Sequence, residues 1–430
     1  MSDSPRRRLG SLSLGAIVAA NMIGAGVFTT SGFALADLGS PGRVMWAWAA
    51  GGVVALLGVL CYGALATRLS ESGGEYLFLS RTLHPGLGFL AGWVSIWAGF
   101  TGAIALAAEA TQAYLAPWLP AGLPADLVGS TLIVLAGLLH TRGVRPGAFV
   151  QNAIVAVKLA LLVALIALGA AGAQSQPAAA PPPFSVGAFT VTMMWVSLSY
   201  SGWNAAVYVG GEALDPGRSL RRSMLGGTLL VTLLYLALNA LFVHAAPLAE
   251  LAGQPDIAAV AARALGGSTL EALVRVVLVL ALVTSISSMV MIGPRVLARM
   301  ADDGLLPARL GFRGELPSAA IWTQVALSIA ILWASGLREQ LTNLGWILSL
   351  FTALTVLGLL RLRAREGPER VPIPGHPLVP LAFLAIVFGL TGTMLVVSGS
   401  QLLPALALLA SGALVWALAA RGRAGPGLPR

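Results

Sequence analysis

The chain has 430 residues, of which 57% are hydrophobic and 10% charged, with a formal net charge of +9 and a mean hydropathy of +0.85. A soluble domain carries about 25% charged residues, so a soluble globular fold is excluded and a polytopic membrane protein is indicated. The positive balance does not point to nucleic acid as a partner, because the arginines flank apolar runs instead of forming one patch.

Twelve apolar spans are predicted, near 12–36, 43–66, 87–115, 127–141, 148–171, 188–211, 225–247, 270–294, 319–336, 341–360, 378–399 and 403–420. About 20 helical residues cross a hydrocarbon core of roughly 30 Å. The sequence MSDSPRRRLG enters the first span without a cleavage signal, so that span reads as retained. The prolines in QSQPAAAPPPFSV, 174–186, keep that stretch out of a helix interior.

Arginine alternates between the two sides of this arrangement. One side carries Arg6, Arg7, Arg8, Arg68, Arg81, Arg142, Arg145, Arg218, Arg221, Arg222, Arg299, Arg309, Arg313, Arg361, Arg363, Arg365, Arg370, Arg421 and Arg423. The other carries only Arg43, Arg263 and Arg338, with Arg275 early in a span. Lys and Arg accumulate on the cytoplasmic side of a membrane, so both termini are expected there, as in a multi-pass protein of a bacterial inner membrane.

The first span reads SLGAIVAANMIGAGVFTTSGFAL, with Gly24 and Gly26 in mid-membrane. Glycine lets a helix unwind and lets a ligand approach the backbone. A helix restarting at Gly26 would aim N–H groups and the positive end of its dipole at a carboxylate. Carbonyls near Ala20, Asn21 and Ile23 could take an ammonium or the head of Lys158. Close packing through small residues is the competing explanation.

Glu109 lies late in the third span and suits either a vestibular role or a proton or substrate role. The fifth span, NAIVAVKLALLVALIALGAA, contains Lys158, the single lysine of the chain. An ammonium about ten residues inside a span is too deep to snorkel and marks a transport site. It can carry a coupling proton, or it can stay charged and hold two helices together in place of a sodium ion. Ser285, Ser287 and Ser288 of the eighth span are its expected hydroxyl partners.

The sixth span places Tyr200, Ser201, Gly202, Trp203 and Asn204 in mid-bilayer. Asn204 requires a partner there, Gly202 permits a second interruption, and Trp203 suits a lid over a small zwitterion. Interruptions in spans one and six, five apart, suggest two halves of five spans plus a terminal pair. The halves would be 10–173 and 187–360, with the pair at 378–420.

Enzyme signatures are missing: there is no HExxH and no Walker-type phosphate loop. His140 and His244 have no metal-ligand company and read as interfacial. Cys61, the single cysteine, cannot form an intramolecular disulfide and reads as an apolar filler. Neither a cofactor nor a metal is implied.

Four ordered motifs carry a family resemblance. They are Asn21-Met-Ile-Gly24-Ala-Gly26-Val-Phe28, Glu71-Ser-Gly-Gly74-Glu-Tyr76, Tyr200-Ser-Gly-Trp203-Asn204 followed by Glu212-Ala-Leu-Asp-Pro216-Gly-Arg218, and Pro294-Arg295 through Asp303-Gly304-Leu-Leu-Pro307. From residue 10 to about 420 the chain resembles the amino acid–polyamine–organocation (APC) transporters, most of all bacterial permeases of the L-amino acid transporter type. Ala25 stands where the signature usually has Ser, which removes one possible side-chain contact.

The resemblance implies an all-α, LeuT-like fold of twelve transmembrane helices, a 5+5 inverted repeat and discontinuous helices one and six. It implies a substrate site at Ile23 to Gly26 in which Gly24, Ala25 and Gly26 engage a carboxylate, while carbonyls of Tyr200 and Ser201 engage the amine. Trp203 would line or gate the site beside Gly202 and Asn204. Lys158 matches a lysine that stands where sodium-coupled relatives bind their cation, which implies sodium-independent transport. Eukaryotic members join a glycoprotein through a disulfide, and Cys61, inside a span, offers no suitable link.

The resulting expectation is alternating-access transport of neutral L-amino acids, by exchange or with protons, with Lys158, Ser287, Ser288 and Glu109 as coupling candidates. A polyamine or cationic amino acid carrier and a non-transporting amino acid sensor are the alternatives. The loops at 68–84 and 295–313 are expected to help seal the inward side.

Overall fold

The computed structural model describes residues 9–115, 118–120, 123–172, 182–314, 316–334, 337–397 and 403–423. Arg6, Arg7 and Arg8, residues 174–181 of the proline-rich stretch, and the side chains of Arg145, Arg338 and Arg423 lie outside the described residues. The architecture is all-α, with two isolated β-bridges among the described residues.

In chain order the helices are α1 (Ser11–Met22), α2 (Gly26–Leu38), α3 (Pro41–Arg68), α4 (Gly74–Thr82), α5 (Pro85–Val94), α6 (Ala103–Leu115), α7 (Ala125–Thr141) and α8 (Val144–Gly172). There follow α9 (Val186–Ser199), α10 (Pro216–Val243), α11 (Leu248–Leu251), α12 (Ile257–Asp302), α13 (Ser318–Ala334), α14 (Leu337–Glu366), α15 (Leu378–Val397) and α16 (Leu403–Arg423). Among the described residues, 8 helical segments are long and apolar enough to cross a membrane, and shorter apolar helices lie at 126–141, 186–199, 318–334 and 378–393. The chain is a multi-pass membrane protein.

Local chemistry explains most boundaries. Pro41 and Pro216 open α3 and α10 at positions where a missing N–H costs nothing. Gly39 closes α2 in the left-handed region at φ +59°. Between α5 and α6 the third span widens into a π-helix over Ser95–Gly102, a departure that apolar periodicity cannot register.

Two expected loops contain helix. The segment 68–84 holds α4, whose residues Gly74 to Leu79 are all buried. The stretch 295–313 begins as a continuation of α12, which runs on to Asp302. That continuation is held by burial: Val296, Ala298 and Met300 are fully covered, and Arg295 is 1% exposed. At the other end of α12, Gly266 and Gly267 leave helical geometry and separate a short helix from the span.

The core element is α12, which packs against α1, α6, α7, α8 and α13. A second set of contacts joins α1 and α3 to α10. The segment before α1 is tied to the exit of the sixth span, where Leu9 N–H donates to Glu212 O and Leu214 N–H to Leu9 O, each at 2.9 Å.

Beside this strap, Arg295 of α12 forms a buried two-point ion pair with Glu212; the Nη2–Oε2 bond is 2.9 Å. Its Nη1 also donates to the Met291 carbonyl. Removing one partner leaves a buried charge alone. Arg295→Met is therefore expected to destabilise the protein by about 3–5 kcal/mol, and Arg295→Met with Glu212→Leu to recover most of the loss. Thermal unfolding in detergent measures both.

Candidate substrate site

The interruption in the first span starts where α1 stops at Met22. Ile23 has ψ +86°, outside helical values, and Gly24 N–H turns back to Met22 O at 2.9 Å. α2 then begins at Gly26 with Ala25 as its cap residue and no side-chain cap. The first N–H groups of a helix have no intrahelical acceptor, so this start presents donors and the positive end of a dipole. A Cβ added to Gly24 would meet nothing within 4 Å, so open space adjoins the backbone here.

The interruption in the sixth span starts where α9 stops at Ser199. Residues 200–204 form turns, and a 3-10 segment runs from Ala205 to Glu212. Gly202 has φ +103°, a conformation that L side chains rarely adopt. The two interruptions touch at this residue: a Cβ on Gly202 would lie 2.8 Å from Asn21 C and Cβ. A Cβ on Gly26 would lie 2.5 Å from Ser199 Oγ.

One side chain reaches both broken ends. Tyr235 of α10 is fully buried, and its hydroxyl lies 2.5 Å from the Met22 carbonyl and 3.1 Å from the Ser199 carbonyl. A hydroxyl has one proton, so it serves the two carbonyls alternately or in a shared bond. Trp48 and Tyr200 pack on its ring, with centroids 5.3 and 5.0 Å away. Thr30 and Ser199 hydroxyls meet at 2.9 Å and join α2 to α9.

The polar residues of α12 serve three different helices. Thr284 Oγ1 accepts from Lys158 Nζ of α8 at 2.9 Å, with the lysine fully buried. Ser287 meets His140 Nε2 of α7 at 3.0 Å, and Ser288 accepts from Asn21 Nδ2 of α1 at 2.5 Å. The expected pairing of Lys158 with Ser285, Ser287 or Ser288 is thus corrected to Thr284, since Ser287 and Ser288 are engaged by other helices. His140, expected at an interface, is buried at 3% exposure.

The remaining candidates are distributed around this centre. Ile23 is buried, Gly24, Ala25 and Gly26 are half-buried, and Ser201 is exposed. Tyr200 is buried and donates its hydroxyl to the Trp48 carbonyl at 3.1 Å. The Trp203 ring is wedged edge-on against Tyr62 at 4.8 Å and Phe383 at 6.3 Å. Asn204 donates to Glu75 Oε1 at 2.6 Å. Glu109 is half-buried on α6, a helix that packs against α12. Among the described residues no group of His, Cys, Asp or Glu could hold a metal ion. Thr284, Tyr235 and Glu75 were not singled out by sequence. Thr284 adjoins the serine run, and Glu75 lies inside a quoted motif, but Tyr235 carries no local signal.

The model of the amino acid permease family matches residues 9–416. The chain belongs to that family. The permease is 27% identical over 404 residues to a serine/threonine exchanger, SteT, of Bacillus subtilis, covering 91% of this chain and 92% of the relative. It is 26% identical over 398 residues to a branched-chain amino acid permease, BcaP, of Lactococcus lactis, covering 85% of each. It is 25% identical over 396 residues to the rabbit large neutral amino acids transporter small subunit 2, covering 88% of this chain and 74% of the relative. The permease is thus an APC-superfamily secondary-active amino acid transporter, not an enzyme.

Two substitutions probe the meeting of the interruptions. Gly202→Ala imposes a strained backbone of about 1–3 kcal/mol together with an overlap on Asn21, and is expected to lower the unfolding temperature and abolish uptake. Tyr235→Phe keeps the ring but removes the hydroxyl shared by the Met22 and Ser199 carbonyls. Because Met22 O keeps the Gly24 N–H, it is the Ser199 carbonyl that loses its donor, and the change is expected to cost about 1–3 kcal/mol in thermal unfolding and to reduce amino acid uptake in proteoliposomes.

Proposed function

We propose that the permease carries neutral L-amino acids across a bacterial inner membrane, independently of sodium, by alternating access. The observation that carries this reading is the contact between two interrupted helices at Gly202 and Asn21, beside open space at Gly24. The backbone at Gly24, Ala25 and Gly26 holds the substrate carboxylate, through the N–H groups of Ala25 and Gly26 and, once it leaves Met22 O, that of Gly24. Carbonyls of Tyr200 and Ser201, which follow the last turn of α9, hold the amine. Binding favours occlusion to the extent that both ends are gripped better in the closed state.

In this reading eight long and four shorter helices make twelve spans, with both termini cytoplasmic. Residues 10–173 and 187–360 are the two inverted halves, and 378–420 is the terminal pair. Lys158, anchored on Thr284, supplies a fixed cation between α8 and α12 and removes the need for sodium. Coupling is by exchange or by protons.

Preference for uncharged side chains is supported by Glu75. This carboxylate lies beside the sixth-span turn, but it accepts bonds from Tyr62, Asn204 and Tyr208 and is not presented to a cationic substrate. The names of the three relatives above also point to uncharged amino acids.

Counterflow in proteoliposomes tests the whole reading. Uptake of a radiolabelled neutral amino acid is expected without sodium, and uptake that requires sodium overturns the role given to Lys158. Dependence on internal amino acid identifies exchange, and pH-driven uptake into empty vesicles identifies proton symport. Lys158→Ala is expected to lower flux by about tenfold or more, in line with loss of a charge-assisted hydrogen bond of roughly 1.5–3 kcal/mol. Wild-type flux in that variant contradicts the coupling role.

A further inference from the structure

Glu75 is the second residue of α4 and is 4% exposed. Its Oε1 accepts from the Tyr62 hydroxyl at 2.9 Å and from Asn204 Nδ2 at 2.6 Å, and its Oε2 accepts from the Tyr208 hydroxyl. All three donors are neutral. Among the described residues, no Arg, Lys or His forms an ion pair with it. A carboxylate enclosed in this way is kept only by the hydrogen bonds it accepts.

The backbone is shaped to deliver it. Gly73 and Gly74 have φ +138° and +57°, and a Cβ on Gly74 would overlap the Tyr208 ring. This double glycine lets the start of α4 press directly against the 3-10 segment that leaves the sixth span.

The three donors come from three functional parts of that neighbourhood. Asn204 is the residue that ends the turn begun at Tyr200, two positions after the joint at Gly202. Tyr208 belongs to the segment Ala205–Glu212. Tyr62 of α3 is the surface on which the Trp203 ring rests. One carboxylate therefore fixes the turn, the segment below it and the support of its aromatic residue.

We propose that Glu75 is the positioning residue of the sixth-span interruption. It sets the orientation of the turn 200–204, and so the aim of the carbonyls that receive the substrate amine, without touching substrate itself. The inference rests on the transport reading above. Its mechanical consequence is that the segment 205–212 cannot leave α4 without breaking bonds to a buried charge, so α4 moves with the inner half of the sixth span.

The full-length chain in proteoliposomes provides the test, with KM from radiolabelled uptake and Kd from equilibrium binding in detergent. Glu75→Gln is expected to raise KM and Kd about tenfold, the worth of one hydrogen bond to a charged group, with a smaller change in turnover. Glu75→Asp is expected to recover part of the affinity. In the Glu75→Gln background, Asn204→Ala is expected to change KM by less than about twofold, because coupled residues are not additive.

A KM for Glu75→Gln within about twofold of wild type, or effects of Glu75→Gln and Asn204→Ala that multiply, overturns the proposal while leaving the transport reading intact. A wild-type chain that neither binds nor moves any amino acid overturns both. If Glu75→Gln does not give a monodisperse protein, Tyr208→Phe, which removes one donor and keeps the ring, is judged by the same KM criterion.

Discussion

Main-chain polar groups within a bilayer must find partners inside the protein. Two interruptions at one depth leave donors and acceptors that the helices themselves no longer satisfy. Tyr235 meets this demand on the acceptor side, with its hydroxyl between the carbonyls of Met22 and Ser199. The aromatic packing of Trp48 and Tyr200 holds that hydroxyl in place. On the donor side open space adjoins Gly24, while Gly26 at the start of α2 packs against Ser199. The asymmetry suits a ligand that brings its own acceptor.

The rest of the architecture keeps the two interruptions in register. α10 supplies Tyr235, and Asn239, one turn further on, accepts the Ser31 hydroxyl of α2. α12 anchors α1 through Ser288 and α8 through Thr284. At one end of the bundle the strap through Leu9 joins the entry of the first span to the exit of the sixth, and the Glu212–Arg295 pair ties that exit to α12. Both interrupted elements are therefore gripped at the same end by the same short piece of chain.

Much of this was visible in the string of residues, for identifiable reasons. Apolar runs of bilayer length, a lone buried lysine, and glycine at 24, 26 and 202 are local features, and the helix ends fall beside those glycines. Pairings across the bundle leave no local trace. Thr284 looks less informative than the serines after it, and the fact that Ser287 and Ser288 serve His140 and Asn21 depends on which helices surround α12. Tyr235, in LLYLALNA, reads as an ordinary core aromatic. Glu75 sits in a stretch that hydropathy marks as loop, and only the fold shows it to be enclosed. The run 295–302 looked like loop because it is charged, yet it is helical because Arg295 finds Glu212 in the interior.

The single turn of α12 from Thr284 to Ser288 engages three other helices, through Lys158, His140 and Asn21. A change at any of these hydroxyls disturbs a partner that lies far away in sequence. Such sites cannot drift independently. Residues 284 with 158, 287 with 140, and 288 with 21 are bound to change as matched sets, and divergence among related permeases should carry their covariation as its imprint.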